Sequence, residues 1–249
     1  MRPFLAALGL CLALAAPAGA DGLTDMTDAE KAAFGEAVRA YLLENPQVLV
    51  EAMTILQDRQ AEADALADDE LVAQNASLIF DDGVSWVGGN PEGDITVVEF
   101  MDYRCGYCKK AFAEVEDLVA SDGNIRFILK EFPILGEESI ITSRFAVAVQ
   151  QLHGAEAYKA VHDQLMELRG APDEATLSRM ATDLGLDPAP ILTRMGSDDV
   201  TAVIAANHAL ADTLSIAGTP TFVMGGTLLR GYVPLDAMKQ MVADARAAN

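Results

Sequence analysis

The feature that most constrains the fold of this 249-residue chain is a cysteine pair between a predicted strand and a predicted helix. Residues 95–101 form an apolar, β-branched run, interrupted by Glu99, that is typical of a buried strand. Cys105-Gly106-Tyr107-Cys108 follows, and we expect a helix from the cysteines to about Ala120. A second β-branched run, Ile125–Phe132, completes a βαβ unit. The chain is therefore predicted to have an α/β fold with the cysteines at the start of a helix.

This position gives the two cysteines different chemistry. Free N–H groups and the helix dipole stabilise a thiolate at a helix N-terminus. Cys105 is therefore the expected attacking sulfur, and Cys108, one turn further in, is the expected resolving sulfur. Arg104, Lys109 and Lys110 flank the pair. They either favour the thiolate further or form an ordinary solvated helix face.

A zinc site, a haem site and an inert disulfide each fit the cysteine pair less well than a redox-active pair of thiols does. A structural zinc site needs four ligands, and the three histidines are scattered and expected at the surface or the edge of the core. A c-type haem needs a histidine directly after the second cysteine, where this chain has Lys109. An inert disulfide across so short a loop constrains little chain entropy. We expect no metal and no cofactor other than a redox-active Cys105–Cys108 disulfide.

The N-terminus reads as an export signal. Residues 1–20 comprise Arg2, an apolar run too short to span a bilayer, and Ala18-Gly19-Ala20, so cleavage is expected after Ala20. Cys11 lies in this segment, which leaves two cysteines in the mature chain. Export to an oxidising compartment, the periplasm, would make a redox role available to them.

Residues 21–75 are predicted to be a helical extension. They carry 13 acidic and 3 basic residues, and Thr27 and Glu30 form a capping-box pattern. Asn45-Pro46 divides two helices, whose narrow apolar stripes are too small to fold alone. The stripes comprise Phe34, Val38, Leu42, Leu49, Met53 and Leu56. We expect them to be buried against the same segment of another subunit or, alternatively, against the main body.

The net charge excludes some classes of ligand. At −21 it argues against nucleic acid and anionic membranes.

The residues after the extension contain three predicted groups of elements besides the βαβ unit. Ser77–Phe80 and Val84–Val87 are predicted to form a hairpin across Asp81-Asp82-Gly83. Residues 137–217 are predicted to be mostly helical, and 218–249 to hold two short strands and a last helix.

Several features resemble the DsbA family in order and spacing. They are Val97-Val98-Glu99-Phe100, the CxxC six residues after Glu99, about 80 helical residues, and Gly218-Thr219-Pro220-Thr221-Phe222. Residues 130–136 and the extension resemble the ScsC-like branch. The resemblance implies a thioredoxin-like fold, with residues 76–136 as its first part, 137–217 as an inserted helical domain and 218–249 as its second part.

The resemblance also implies roles for individual residues. Pro220 would be a cis-proline facing the CxxC, although an X-Pro bond alone is cis in only about 5–6% of cases. Glu99 would be a buried acid that moves protons as Cys108 reacts. Lys130, on the neighbouring strand, is its expected partner, unless both residues point to solvent.

One departure from the family bears on redox direction. Strongly oxidising members carry Pro-His between the cysteines, whereas this chain has Gly106-Tyr107, so one stabilising contribution to the thiolate is missing. Gly106-Tyr107 and Thr219 resemble the DsbC-type isomerases. We expect a periplasmic thiol-disulfide oxidoreductase that leans towards isomerase or reductase, with exported client proteins and a membrane redox partner. The alternatives are a DsbA-like oxidase, a copper-handling protein and a client-binding chaperone.

Overall fold

A computed structural model describes residues 26–248, which leaves the predicted signal peptide outside the described residues. The chain divides into two compact units after Gln60. The first contains α1 (Asp28–Glu44) and the beginning of α2 (Gln47–Gln74). The capping box is confirmed, because the Glu30 carboxylate accepts the Thr27 N–H at 2.8 Å and Thr27 Oγ1 accepts the Glu30 N–H at 3.4 Å.

The second unit begins at Ala61 and holds the end of α2, one mixed sheet and the helices around it. Its strands are β1 (Trp86–Gly89), β2 (Ile95–Met101), β3 (Ile125–Glu131), β4 (Thr221–Met224) and β5 (Thr227–Arg230). Its other helices are α3 (Ala76–Phe80), α4 (Gly106–Asp122), α5 (Glu137–Glu167), α6 (Glu174–Asp183), α7 (Pro188–Met195), α8 (Asp198–Thr213) and α9 (Leu235–Ala248).

The sheet has the strand order β1-β3-β2-β4-β5. β2 and β3 run parallel, as the predicted βαβ unit requires, and α4 is the crossover between them. β1 pairs antiparallel with β3, and β4 pairs antiparallel with β2 and β5. β2 is therefore the central strand, and its carboxyl end leads directly to the cysteines.

The two faces of the sheet bury separate apolar clusters, because side chains alternate along each strand. Val97 and Met101 of β2 join the cluster that includes α4 and most of α5. Val98 and Phe100 join the opposite cluster, which is covered by α3, the end of α2 and part of α8. Glu99 shares the face of Val97 and Met101, so its side chain is directed to the side of α4.

The predicted hairpin of residues 77–87 is wrong. Ala76–Phe80 is a short helix that buries Ile79 in the core, and β1 begins only at Trp86 and pairs with β3. Asp82 closes the intervening turn by accepting the backbone N–H groups of Val84 and Ser85 at 3.0 and 2.8 Å. A short apolar run fits either a strand or a buried helix turn, and burial of Ile79 selects the helix.

The end of α2 belongs to the core of the second unit, although residues up to 75 were predicted to form an N-terminal extension separate from the thioredoxin-like fold. Val72 is buried in the cluster behind the sheet. Asp68 forms a two-pronged ion pair with Arg230 of the edge strand β5. The helix that begins in the extension therefore ends as a packed element beside the sheet.

Helices α5 to α8 fill the region between β3 and β4 where helices were expected. α5 is broken at Gly154, where φ is +84° and a residue without a side chain is favoured. Asn207, which interrupts the apolar face of α8, is buried and donates to the Glu131 carbonyl oxygen at 3.0 Å. This polar residue therefore attaches α8 to the end of β3.

Candidate functional site

The cysteine pair lies at the N-terminus of α4, as predicted. Cys105 is the N-cap residue and is 7% exposed, whereas Cys108 is fully buried. Both are free thiols. The Thr219–Pro220 peptide bond is cis, as expected, and the Thr219 carbonyl oxygen lies 3.2 Å from Cys105 Sγ. β4 begins directly after Pro220, so the sheet places this peptide beside the cysteine that is 114 residues earlier.

The two thiols have pKa values shifted in opposite directions. Hydrogen bonds from the Cys108 thiol, from the Thr219 side chain and from the N–H groups of Cys108 and Tyr107 outweigh partial burial, and they lower the pKa of Cys105 to about 5. Burial, the hydrogen bond to Cys105 and the nearby Glu99 raise the pKa of Cys108 well above its usual value. At neutral pH the arrangement provides one thiolate, on Cys105, and one proton held on Cys108.

Glu99 is the buried acid behind this pair. It is 3% exposed, and its Oε1 atom has no hydrogen-bond partner among the described residues. Burial, followed by repulsion from the Cys105 thiolate and from Glu116, raises the pKa of Glu99 to about 8. The charge of Glu99 in turn contributes to raising the pKa of Cys108, so the state of this acid bears on the resolving thiol.

The predicted pairing of Glu99 with Lys130 is wrong. In the register of β2 and β3, Glu99 lies opposite Leu129, and Lys130 lies opposite Phe100. The two charged side chains therefore occupy opposite faces of the sheet. The Lys130 ammonium is buried and donates to Asp82 Oδ2 at 2.5 Å and to the Leu78 carbonyl oxygen at 2.7 Å. Lys130 fixes the segment before β1 and does not reach the cysteines.

The three basic residues around the cysteines have structural partners. Arg104 pairs with Glu138 at 2.9 Å and donates to the Gly170 carbonyl oxygen at 3.0 Å. Lys109 donates to three carbonyl oxygens at the end of α5, and Lys110 lies 4.0 Å from the centre of the Tyr232 ring. None of the three is among the main causes of the lowered Cys105 pKa. Their expected effect on the thiolate is therefore not supported, and Lys109 is not a freely solvated lysine either.

Gly106 and Tyr107 occupy the space between the cysteines at the surface. A Cβ atom at Gly106 would meet nothing within 4 Å, and the Tyr107 side chain is 63% exposed. The Tyr107 ring lies 6.3 Å from that of Tyr232, whose hydroxyl donates to Glu114 at 2.5 Å. An aromatic pair, with Tyr107 exposed and Tyr232 half-buried, therefore lies beside the residues between the cysteines.

Two residues near the site were missed or misjudged from sequence. The buried Asp102 carboxylate accepts the N–H groups of Arg104, Ile134 and Leu135 at 2.7 to 3.1 Å, which ties the turn before Cys105 to the loop after β3. In the sequence, the position of Asp102 directly after an apolar strand could have indicated that this carboxylate is buried and needs hydrogen-bond donors. His162 was expected at the surface or the edge of the core, but it is buried, and burial lowers its pKa to about 3.

The comparisons with known proteins agree with this geometry. Residues 96–243 match the family model of the DSBA-like thioredoxin domain. The chain belongs to the DSBA-like thioredoxin domain family. Residues 30–63 match a second model, the N-terminal domain of the copper resistance protein ScsC. The expected thioredoxin-like fold with an N-terminal helical extension is thereby confirmed.

Solved structures of similar proteins extend this result. A thioredoxin-like oxidoreductase from Silicibacter pomeroyi is 42% identical, with a TM-score of 0.66 over 70% of this chain and 99% of that one. The thiol-disulfide exchange protein alpha-DsbA2 from Wolbachia pipientis is 26% identical, with a TM-score of 0.68 over 73% and 97%. BcfH from Salmonella enterica Typhimurium is 28% identical, with a TM-score of 0.74 over 88% and 96%. DSBA-like proteins are oxidoreductases that work through a redox-active disulfide.

Curated relatives match only in part. A Na+/H+ antiporter NhaA from Salinispora arenicola is 30% identical over 161 residues, which are 65% of this chain and 24% of that protein. The chain thus spans about a quarter of the length of such relatives. Within residues 26–248 no helix is long and apolar enough to cross a membrane, and no three His, Cys, Asp or Glu side chains are grouped to hold a metal ion.

Proposed function

We propose that this protein is a periplasmic thiol-disulfide oxidoreductase that exchanges disulfides in exported client proteins through Cys105 and Cys108. The observation that carries the proposal is the placement of the two sulfurs: Cys105 caps α4 beside the cis Thr219–Pro220 peptide, whereas Cys108 is fully buried. A thiolate on Cys105 beside the Thr219–Pro220 peptide is ready to attack, and a buried Cys108 thiol is held in reserve. The apolar run of residues 1–20 supports export, and its removal after Ala20 belongs to the proposal.

The exchange proceeds in balanced steps. The Cys105 thiolate attacks one sulfur of a client disulfide, that S–S bond breaks, and the second client sulfur leaves as a thiolate. The resulting mixed disulfide removes the negative charge from Cys105. Burial still raises the pKa of Glu99, but the pKa falls because the additional repulsion from the thiolate is gone, and Glu99 releases its proton to solvent at a pH above this lower value.

Resolution of the mixed disulfide has two outcomes. Glu99, as a carboxylate, accepts the Cys108 proton, and the Cys108 thiolate attacks Cys105 Sγ and releases the first client sulfur as a thiolate. The client is then reduced and the enzyme holds a Cys105–Cys108 disulfide. If another client thiolate attacks the mixed disulfide first, the client leaves with a rearranged disulfide and the enzyme remains reduced.

We assign the isomerase or reductase direction because the residues between the cysteines supply no extra cation. Tyr107 stands where a histidine would stabilise the thiolate further, and none of the nearby bases is among the main causes of the lowered Cys105 pKa. A less stabilised thiolate makes the disulfide less oxidising. In this direction the active dithiol must be regenerated, which requires a membrane redox partner to supply electrons.

The extension supports an oligomer. Phe34 and Leu56 are 51% and 67% exposed, and Leu49 and Met53 are also exposed. Exposed apolar side chains at this density favour association of identical segments. Several cysteine pairs would then act on one client, which suits isomerisation.

One pair of neighbouring residues tests the oligomer. Leu56→Glu and Gln57→Glu add the same charge to adjacent exposed positions of α2. Light scattering should show a monomer for the first variant and the native mass for the second, with added salt strengthening the native oligomer by screening its acidic charge. If the native chain is monomeric at micromolar concentration, the oligomer is rejected. Truncation at Asn75 is a poorer test, because it removes Val72 from the core.

The function is tested on a client with scrambled disulfides. The reduced protein should restore the native pairing, and Cys108→Ala should accumulate a mixed disulfide through Cys105. Cys105→Ala should abolish both results, whereas a chaperone would keep its effect on client folding. Retained repair in Cys105→Ala would reject the proposal, and a Cu(I) complex with no exchange activity would favour the copper-handling alternative.

A further inference from the structure

Tyr103 connects the turn that carries Cys105 to the inserted helices. It lies two residues before Cys105 and is 1% exposed. Its hydroxyl donates to Glu131 Oε1 at 2.8 Å and lies 3.1 Å from His162 Nδ1. The turn itself is closed by the Cys105 N–H, which donates to the Asp102 carbonyl oxygen at 3.0 Å. A side chain in the turn before the nucleophile is therefore held from two directions.

Glu131 is the centre of this buried network. Besides Tyr103, its carboxylate accepts the Tyr158 hydroxyl at 2.6 Å and the Ser143 hydroxyl at 2.7 Å, both from α5. Burial raises its pKa to about 7 against the effect of these three hydrogen bonds. The thiol mechanism does not use Glu131, yet its carboxylate links the end of β3, both halves of α5 and the turn before Cys105.

His162 allows Tyr103 to remain bonded in either protonation state of Glu131. When Glu131 is charged, Tyr103 donates to it and accepts a hydrogen bond from His162 Nδ1–H. When Glu131 is protonated, it donates to Tyr103, and Tyr103 donates to His162 Nδ1. The low pKa of His162 keeps the ring neutral, so both tautomers are available. The anchor of the turn is therefore preserved across the pH range in which Glu131 titrates.

We propose that Tyr103 is a positioning residue for Cys105, through which the inserted helices hold the turn so that the α4 N–H groups are directed at the sulfur; this inference rests on the proposed role of Cys105. The N–H groups of Tyr107 and Cys108 contribute to lowering the Cys105 pKa. Their effect depends on a fixed sulfur position, because a hydrogen bond weakens steeply as its angle departs from linearity. Release of the turn should therefore reduce the stabilisation of the Cys105 thiolate and raise the pKa of Cys105.

Tyr158 supplies a matched control. Tyr103→Phe and Tyr158→Phe each remove one hydroxyl from the same carboxylate oxygen and keep the ring packed. Tyr103→Phe should lose somewhat more unfolding free energy, because it also removes the hydroxyl that contacts His162 Nδ1. Only Tyr103→Phe releases the turn, so it alone should raise the Cys105 pKa and slow the reaction of the reduced protein with the disulfide reagent DTNB at pH 5. The expected slowing is about threefold to tenfold, the range that one net hydrogen bond corresponds to.

Three measurements decide the inference. They are thiolate absorbance against pH, the DTNB rate and denaturant unfolding, each on the full chain and both variants. If Tyr103→Phe and Tyr158→Phe have the same Cys105 pKa and the same rate, Tyr103 contributes only to stability and the inference is overturned. Cys105→Ser in the same assay tests the proposed function separately: an unchanged rate in that variant would reject the function, whatever the tyrosine variants do.

Discussion

Glu99 should leave a measurable signature in the reduction potential of the Cys105–Cys108 couple. Each proton taken up on reduction makes the potential of a two-electron couple fall by about 30 mV per pH unit. Below pH 5 both sulfurs take up protons, so the slope is about 59 mV per pH unit. Above pH 5 only Cys108 does, because Cys105 remains a thiolate, and the slope falls to about 30 mV.

Glu99 adds a second region of steep slope. Its pKa is about 8 when Cys105 is a thiolate, and it is lower in the disulfide form because that repulsion is absent. Between these two values reduction also places a proton on Glu99, so the slope returns to about 59 mV per pH unit and falls again above pH 8. Glu99→Gln cannot take up this proton and should keep about 30 mV per pH unit from pH 5 to 9.

The assay is equilibration with glutathione buffers between pH 4 and 9, with the redox state read from the trapped thiols. Glu131→Gln is the control, because Glu131 is also a buried acid with a raised pKa, but the Cys105 charge is not among the causes of that shift. Its slopes should match the wild type. If Glu99→Gln and the wild type have the same slopes between pH 5 and 9, Glu99 does not exchange protons with the thiol pair, and the proton step of the mechanism is wrong.

Three further outcomes are expected. Lys130→Met should lower the free energy of unfolding by about 3–5 kcal/mol, because it leaves the Asp82 carboxylate without its cation. The reduction potential of the Cys105–Cys108 couple should not change, and a shifted potential would show that Lys130 acts on the thiol pair. Lys109→Met should cost about 1.5–3 kcal/mol of stability, measured by denaturant unfolding, without changing the Cys105 pKa; a raised pKa would show that this cation stabilises the thiolate after all. The reduced protein should lose stability relative to Cys105→Ser as pH falls from 9 to 5. A thiol whose pKa is lower in the folded state stabilises the fold above its unfolded pKa, and this stabilisation is lost as pH falls through the folded pKa of about 5. Parallel curves of unfolding free energy against pH for the two proteins would contradict the lowered pKa.

Sequence predicted best what depends on local pattern. The β-branched runs of β2 and β3, the cysteines at a helix N-terminus and the capping box at Thr27 follow from spacing and residue type over a few positions. Glu99 was identified because an acid in an apolar strand is costly without a special reason. Glu131 carried the same signal in β3 and was overlooked beside Lys130.

What sequence did not predict depends on register and on distant contacts. Glu99 and Lys130 lie on adjacent strands, and the register, in which a shift of one residue exchanges the faces, places them on opposite sides of the sheet. The bond between Tyr103 and Glu131 joins residues 28 apart, and that between Tyr103 and His162 joins residues 59 apart. The short helix α3 was misread because a five-residue apolar segment has no distinct period until its tertiary neighbours are known.

The strand order has a consequence for how the protein is made. Central strand β2 pairs with β4, and Val97 is opposite Met224, so this pairing waits until almost the whole chain is available. Contacts of such sequence separation form late, because a long loop must close before they contribute. Until then Cys105 lacks Thr219 as a neighbour. An incomplete chain therefore lacks part of the environment that lowers the pKa of Cys105.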